Sequence, residues 1–277
     1  MKRKDPVSTF LNVITKIAAF ITILVLFFII AYILIRGIPN LKPSLFAWEY
    51  TTENVSMMPA IINTISVMLL SLLIAAPIGI GSAIYLVEYA KRGSRLVKIV
   101  LLTTETLAGI PSIVYGLFGS LMFVISLNMG LSLLAGALTL SIMVLPTIMR
   151  TTQEALIAVS DSYREGSYGL GAGKLRTIFK IILPSAVPGI MSGIVLSMGR
   201  IVGETAALIY TSGTIAKVGT NILKPGSTLA VHMYKLMSEG LYTEQACAVA
   251  VVLLVFVIVM NALSNRLSKK LMKGASA

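Results

Sequence analysis

The stretch RTTQEALIAVSDSYREGSYGLGAGKLRTIFKIILP, residues 150–184, is polar enough to lie outside a bilayer yet patterned enough to fold. Ser162 and Glu165 have the spacing of a capping box, in which a hydroxyl and a carboxylate satisfy the first backbone N–H groups of a helix. Gly171 and Gly173 then interrupt that helix, because glycine readily supplies the left-handed turn that a helix end requires. Leu175, Ile178, Phe179 and Ile182 follow at i, i+3, i+4 and i+7, an apolar stripe opposed by Arg176 and Lys180. Pro184 is expected to terminate this second helix. Two short helices joined by a glycine turn suit insertion into a groove on a soluble partner. GLGAGKL is not a nucleotide loop: Tyr168 and Leu175 stand where a P-loop needs glycine and Ser or Thr.

Everything around this loop is apolar. Of 277 residues, 56% are hydrophobic and only 12% charged, whereas a soluble domain carries roughly twice that charge. Six uncharged or nearly uncharged segments stand out, at about 17–35, 60–87, 99–127, 131–149, 187–210 and 243–263. The first follows Lys2, Arg3 and Lys4 as a secretory signal would. Its 19 residues nearly match a bilayer core of roughly 30 Å, and no small-x-small cleavage site follows, so it reads as a retained span. The expected fold is an all-α membrane protein of six transmembrane helices.

Basic residues fix the orientation, because loops rich in Lys and Arg stay in the cytoplasm. With the N-terminus inside, 17 of the 23 basic residues fall on the cytoplasmic side, five fall outside, and Arg200 remains within a span. Both termini are therefore expected in the cytoplasm. The formal charge of +12 reflects this topology; with no long basic run and no interleaved aromatics, it does not indicate nucleic acid. The chain divides into a cytoplasmic segment 1–16, a first helix with its outward loop 17–57, a core 58–263 that contains the loop 150–184, and a cytoplasmic tail 264–277. The outward segments 37–59 and 211–242 carry Phe46, Trp48, Met57, Met58, Met233 and Tyr234. They fit either the membrane interface or the rim of a translocation mouth. Cys247, the single cysteine, sits in an apolar run and reads as a small core residue.

Charges inside spans are costly and therefore informative. Arg200 and Glu204 in GRIVGETAAL are four apart and can pair along one continuous helix. Gly189 and Gly193 fall on the same face, and Gly189/Gly193 and Gly199/Gly203 permit close helix contact. Glu105, Gly109, Ser112, Gly116 and Ser120 make a similar stripe in the third span, where Pro111 predicts a kink. Arg150 and Glu154 stand four apart at the inner end of the fourth. Arginines facing the interior suit a tetrahedral oxyanion. Arg200, with Arg150, would line an anion pathway while Glu204 holds Arg200 and moderates its field. A purely structural ion pair at 200/204, and a topology anchor at Arg150, are the competing readings.

The permeases of bacterial ATP-binding-cassette importers carry a loop of the form E-A-A, three residues, G, nine residues, I-x-L-P. Glu165, Gly166, Ser167, Gly171, Ile181, Leu183 and Pro184 resemble it at that spacing, with the two alanines replaced by residues still small. LAGIPSIVYGLFG, RTTQEAL and GRIVGETAAL, in that order, resemble the phosphate-specific PstA-type branch over about residues 58–263. The resemblance implies a type I importer permease fold in a bacterial inner membrane. It also implies a second homologous permease, two ATPase subunits docked on the loop, and a periplasmic or lipid-anchored phosphate-binding protein. Arg150, Arg200 and Glu204 match charged positions associated with transport in that branch. The chain itself is expected to bind no cofactor and no metal, with ATP hydrolysed by the partner subunit. Tungstate, molybdate or sulfate permeases would share the loop, whereas a secondary carrier or channel would not need it. An enzyme is disfavoured: His232, the single histidine, is expected in an outward loop as a solvated or partner-contacting residue, and no catalytic constellation surrounds it.

Overall fold

A computed structural model describes residues 6–91, 93–218 and 221–275. Lys2, Arg3, Lys4 and Arg92, used above for orientation, lie outside the described residues, as do residues 276 and 277 of the tail. Every regular element among the described residues is helical. In order the chain forms α1 (Pro6–Gly37), α2 (Met58–Ile84), α3 (Arg95–Ala108), α4 (Ser112–Gly119), α5 (Leu133–Ile157), α6 (Asp161–Gly169), α7 (Lys174–Thr177), α8 (Leu183–Gly203), α9 (Ala206–Thr211), α10 (Leu229–Glu239) and α11 (Thr243–Ala275). Five helices are long and apolar enough to cross a membrane, or six if the bent pair formed by α3 and α4 is one span.

Helix α5 is the centre of the bundle, two-thirds buried along its apolar window. It packs against α2 and α8 through small residues that let backbones approach without apolar solvent to drive them together. A Cβ on Gly79 of α2 would stand 2.9 Å from Ile148, one on Gly189 of α8 would stand 2.5 Å from the Ala155 methyl, and one on Gly193 would collide with Thr151. Ser71 and Ser141 add crossing bonds between α2 and α5: each hydroxyl donates to a carbonyl on the other helix at 3.1 Å. Leu140, Met143, Val144 and Ile148 fill the space between. Helix α1 stands apart. It touches the rest where Gly37 meets the Cys247 carbonyl and Val251, and its apolar sides are left uncovered by the remainder of the chain.

Two spans that read as continuous are broken. Between α3 and α4 the chain turns by 102° at Gly109–Pro111, so Glu105 does not share an arc with Gly116 and Ser120. Pro111 cannot donate to the helix ladder, and the Leu107 carbonyl accepts instead from the Ile110 N–H at 3.1 Å and from the Tyr115 hydroxyl at 2.7 Å. Helix α8 ends at Gly203 and α9 begins at Ala206. The second helix of the loop, in contrast, continues where Pro184 was expected to stop it. A π-turn over Ile178–Ile182 widens the ladder there, and Pro184 enters within the first turn of α8, where its missing N–H costs little.

The outward segments fold into a cap whose core, Leu45, Val55, Met57, Leu229 and Leu236, is completed by Val249 of α11. Trp48, Phe46 and Tyr234 remain exposed on it, while Met57 is fully buried. The Asn54 side chain accepts from Thr51 and Ser56 N–H groups and donates to the Glu49 carbonyl, which holds Val55 at φ +47°. Carbonyls of Thr211, Lys224 and Ile222 accept from the N–H groups of Ser132, Leu133 and Leu134, satisfying the orphan donors at the start of α5.

His232 lies inside this cap, 1% exposed, its ring edge-on to Tyr50 at 5.9 Å. The expectation of a solvated histidine is corrected: Tyr50 and Val55, distant in sequence, close over it. Burial pushes its pKa from 6.5 to about 4, against a hydrogen bond to the Val55 backbone and with help from Lys235, and Nε2 has no partner to receive a proton's charge. Because the folded pKa is depressed, the unfolded chain takes the proton first as pH falls. The cap is therefore expected to keep its full stability above pH 6.5 and to lose on the order of 3 kcal/mol progressively down to about pH 4. Thermal unfolding in detergent across that window checks this, with His232→Gln expected to flatten the dependence.

Candidate functional site

Two regions carry the residues singled out by sequence. The first is the middle and inner half of the bundle, where α3, α5 and α8 border a cleft of about 440 Å³. Thr104 and Glu105 of α3 face Thr147, Arg150 and Glu154 of α5 and Leu196 of α8 across it. Arg150 Nε donates to Glu154 Oε1 at 3.0 Å, with both side chains exposed, so the expected i, i+4 pair forms there. Screening makes such a pair worth little for stability. Its charges are available to whatever occupies the cleft.

Arg200 does not line this cleft. Gly193 meets Thr151, next to Arg150, and Arg200 lies seven residues further along α8, about 10 Å by helical rise. The two arginines are thus staggered in depth. The expected pairing of Arg200 with Glu204 is also corrected. Spacing of four brings residues together only on an unbroken helix, and here the helix ends between them. Glu204 takes an extended ψ of 130°, is 9% exposed, and accepts from the Ala207 N–H at 3.0 Å, capping α9. Among the described residues no ion pair includes Arg200. Arg200 is partly buried, within electrostatic reach of Tyr115 at the α3/α4 break. Gly199 and Gly203 beside it, expected to support close helix contact, instead face open space. Gly189 and Gly193 make the contact alone. Arg200 is therefore a cation on an uncovered, glycine-bordered strip of α8.

The second region is the loop 150–184. Its first helix, α6, is capped by Ser160 and not by the Ser162/Glu165 box: Ser160 Oγ accepts from the Ser162 N–H at 3.4 Å, and Glu165 is exposed. Gly171, at φ +80°, ends the helix as its position in the sequence suggested. Ser167 is buried and shares a 2.8 Å hydrogen bond with the Thr177 hydroxyl, clamping α6 to α7. A Cβ on Gly166 would meet nothing within 4 Å, so that small residue is open to a partner while Ser167 is spent within the chain. The apolar stripe divides. Ile178 and Ile182 are fully buried, whereas Leu175 and Phe179 are exposed, as is Leu170 at 91%. Ile181, Leu183 and Pro184 are partly buried, the first two against a core formed with Leu86 and Leu156, so they root the loop in the bundle.

The sequence reading missed the residues that hold this loop in place. Arg164 of α6 donates to Glu88, beyond the end of α2, through Nε at 3.2 Å and Nη2 at 2.8 Å. It also donates to the carbonyls of Leu156 and Val159 and to Asp161. Glu88 offered one signal: it is the lone carboxylate in a stretch that carries Lys91, Arg92, Arg95 and Lys98. Among the described residues no group of three or more His, Cys, Asp or Glu side chains is arranged to hold a metal ion.

Residues 75–273 match the family described as "Binding-protein-dependent transport system inner membrane component". The chain is 31% identical over 271 residues to a probable ABC transporter permease protein, YqgI, of Bacillus subtilis strain 168, covering 89% of this chain and 90% of that one. It is 38% identical over 201 residues to the phosphate transport system permease protein PstA homolog of Mycoplasma pneumoniae, covering 70% of this chain and 30% of that longer relative. Among solved structures, a chain of the bacterial alginate ABC transporter in complex with an alginate-bound periplasmic protein superposes with a TM-score of 0.63. The match has 19% identity and covers 93% of this chain and 96% of that one. That likeness places the helices in the type I importer permease fold. The chain belongs to the inner-membrane permease components of binding-protein-dependent transport systems, and is a multi-pass membrane protein of that family.

Proposed function

We propose that the chain is the PstA-type permease subunit of an ATP-driven phosphate importer, forming half of the translocation pathway beside a second homologous permease. The observation that carries the anion reading is Arg200, a cation without a carboxylate partner on an open strip of α8. An unneutralised arginine at membrane depth costs about 2.5 kcal/mol or more. It is retained where water, a partner or a passing anion meets it. Arg150, staggered about 10 Å along the bundle toward the cytoplasm, supplies a second station. Glu204 acts on this route by capping the start of α9, just past the end of α8. The phosphate-transport relative named above supports phosphate as the anion. Glu165, Gly166 and Gly171 present the loop surface to two ATPase subunits, which hydrolyse ATP, and a periplasmic or lipid-anchored binding protein delivers phosphate to the outward cap. Ile181, Leu183 and Pro184 anchor that loop.

Reconstitution in liposomes with the candidate permease partner, ATPase and binding protein tests this. Labelled phosphate is expected to accumulate only with ATP and the binding protein. ATP-dependent uptake of sulfate or tungstate without phosphate would replace the substrate, and uptake independent of ATP would overturn the importer.

A further inference from the structure

Helix α2 is gripped at both ends by segments far away in sequence. At its cytoplasmic end it widens into a π-turn over Tyr85–Tyr89, an irregularity that tends to mark functional positions. Glu88 in that turn is only 5% exposed and takes two donors from Arg164, itself 14% exposed. The other loop helix reaches the same turn, with Lys174 Nζ 4.6 Å from the centre of the Tyr89 ring. At the outward end, Asn63 Nδ2 donates to the carbonyls of Lys217 and Ser227 at 2.9 and 3.1 Å. Next to it, Thr64 Oγ1 accepts from the Leu229 N–H at 2.8 Å. One helix thus joins the cytoplasmic loop to the segment that closes the outward cap.

We infer that the buried Glu88–Arg164 pair is the link through which the cytoplasmic loop drives helix α2 and, through Asn63 and Thr64, the outward segment around residues 217–229. The inference rests on the reading that the loop receives the ATPase. A planar guanidinium whose donors are all directed at fixed acceptors is satisfied in one geometry only. Sliding α6 against α2 would break several charge-assisted bonds at once and leave a buried carboxylate unpaired, so the two elements move together. Apolar contacts alone would allow slippage. Arg164 and Glu88 are positioning residues: they touch neither substrate nor nucleotide.

The test uses the full transporter reconstituted with its partners. Glu88→Gln is expected to assemble with the ATPase and to retain basal ATP hydrolysis, while transport per ATP falls about tenfold or more, within the range of ordinary allosteric couplings. Exchanging the charges, Glu88→Arg with Arg164→Glu, is expected to recover part of the loss. Hydrogen exchange provides a readout that a merely structural pair would not move. ATP is expected to alter protection in both the loop and residues 217–229 of the wild type, and in the loop alone in Glu88→Gln. Should Glu88→Gln fail to assemble, Arg164→Lys, which keeps the charge and loses the fork, is expected to show the same split. Unchanged transport per ATP in either assembled variant, or an ATP effect still reaching residues 217–229, would overturn the link. Failure of the wild type to bind the ATPase would instead overturn the loop reading, so the two failures are distinguishable.

Discussion

Replacing Arg200 with glutamine is expected to abolish most phosphate uptake while leaving the permease folded, assembled and at least as stable as the wild type. The two halves of this result follow from the same geometry. No carboxylate pairs with Arg200 among the described residues, so its removal strands no buried counter-charge. It also relieves the cost of placing a cation at membrane depth, about 2.5 kcal/mol or more. A charge-assisted contact to a passing anion is worth up to about 3 kcal/mol, so its loss slows uptake roughly 100-fold. Arg200→Lys keeps the charge without the planar fork and should fall between. Glu204 should behave differently. Glu204→Gln keeps an oxygen that can accept from the Ala207 N–H and is expected to fold normally, whereas Glu204→Ala loses the cap and about 1 kcal/mol. Uptake and thermal unfolding measured on the same preparations check these outcomes. Undiminished uptake by folded Arg200→Gln would remove Arg200 from the pathway, and marked destabilisation would assign the guanidinium a structural role.

The helices were legible because hydropathy is a property of each segment alone, and the outcome at Gly171 was legible because a left-handed helix end is a local requirement. What the sequence hid depends on partners distant in the chain. Pro111 announces a kink, but the 102° turn also needs Tyr115 to cap the Leu107 carbonyl and Gly116 to seat against the backbone of Ala207. The spacing of Arg200 and Glu204 implied a pair only on the premise of a continuous helix. GETAAL has an equally good local reading as a new helix start, with Glu204 three residues before Ala207. At the loop, three capping residues in a row, Ser160, Asp161 and Ser162, left the helix start ambiguous by two positions. Glu88 and Arg164 lie 76 residues apart, and no periodicity within either segment points to the other.

Gly193→Val is expected to destabilise the bundle by about 3 kcal/mol, near the upper end for overpacking a close contact. A Cβ there collides with Thr151, whose hydroxyl donates to the Thr147 carbonyl at 2.8 Å and so cannot swing away without losing that bond. Gly189, one turn earlier, stands over Ala155, so the α5–α8 approach is close at two successive turns. Thr151→Gly removes the obstructing atoms, and the double variant is expected to recover part of the loss despite the roughly 1 kcal/mol cost of a second helical glycine. Two other glycines of the same helix provide the contrast. Gly199 and Gly203 face open space, so Gly199→Leu should leave thermal unfolding in detergent unchanged. It should nevertheless obstruct the strip beside Arg200 and reduce uptake. Loss of stability at 193 with loss of transport alone at 199 would separate the face of α8 that builds the fold from the face that borders the route. Full transport by Gly199→Leu would instead assign that strip to lipid.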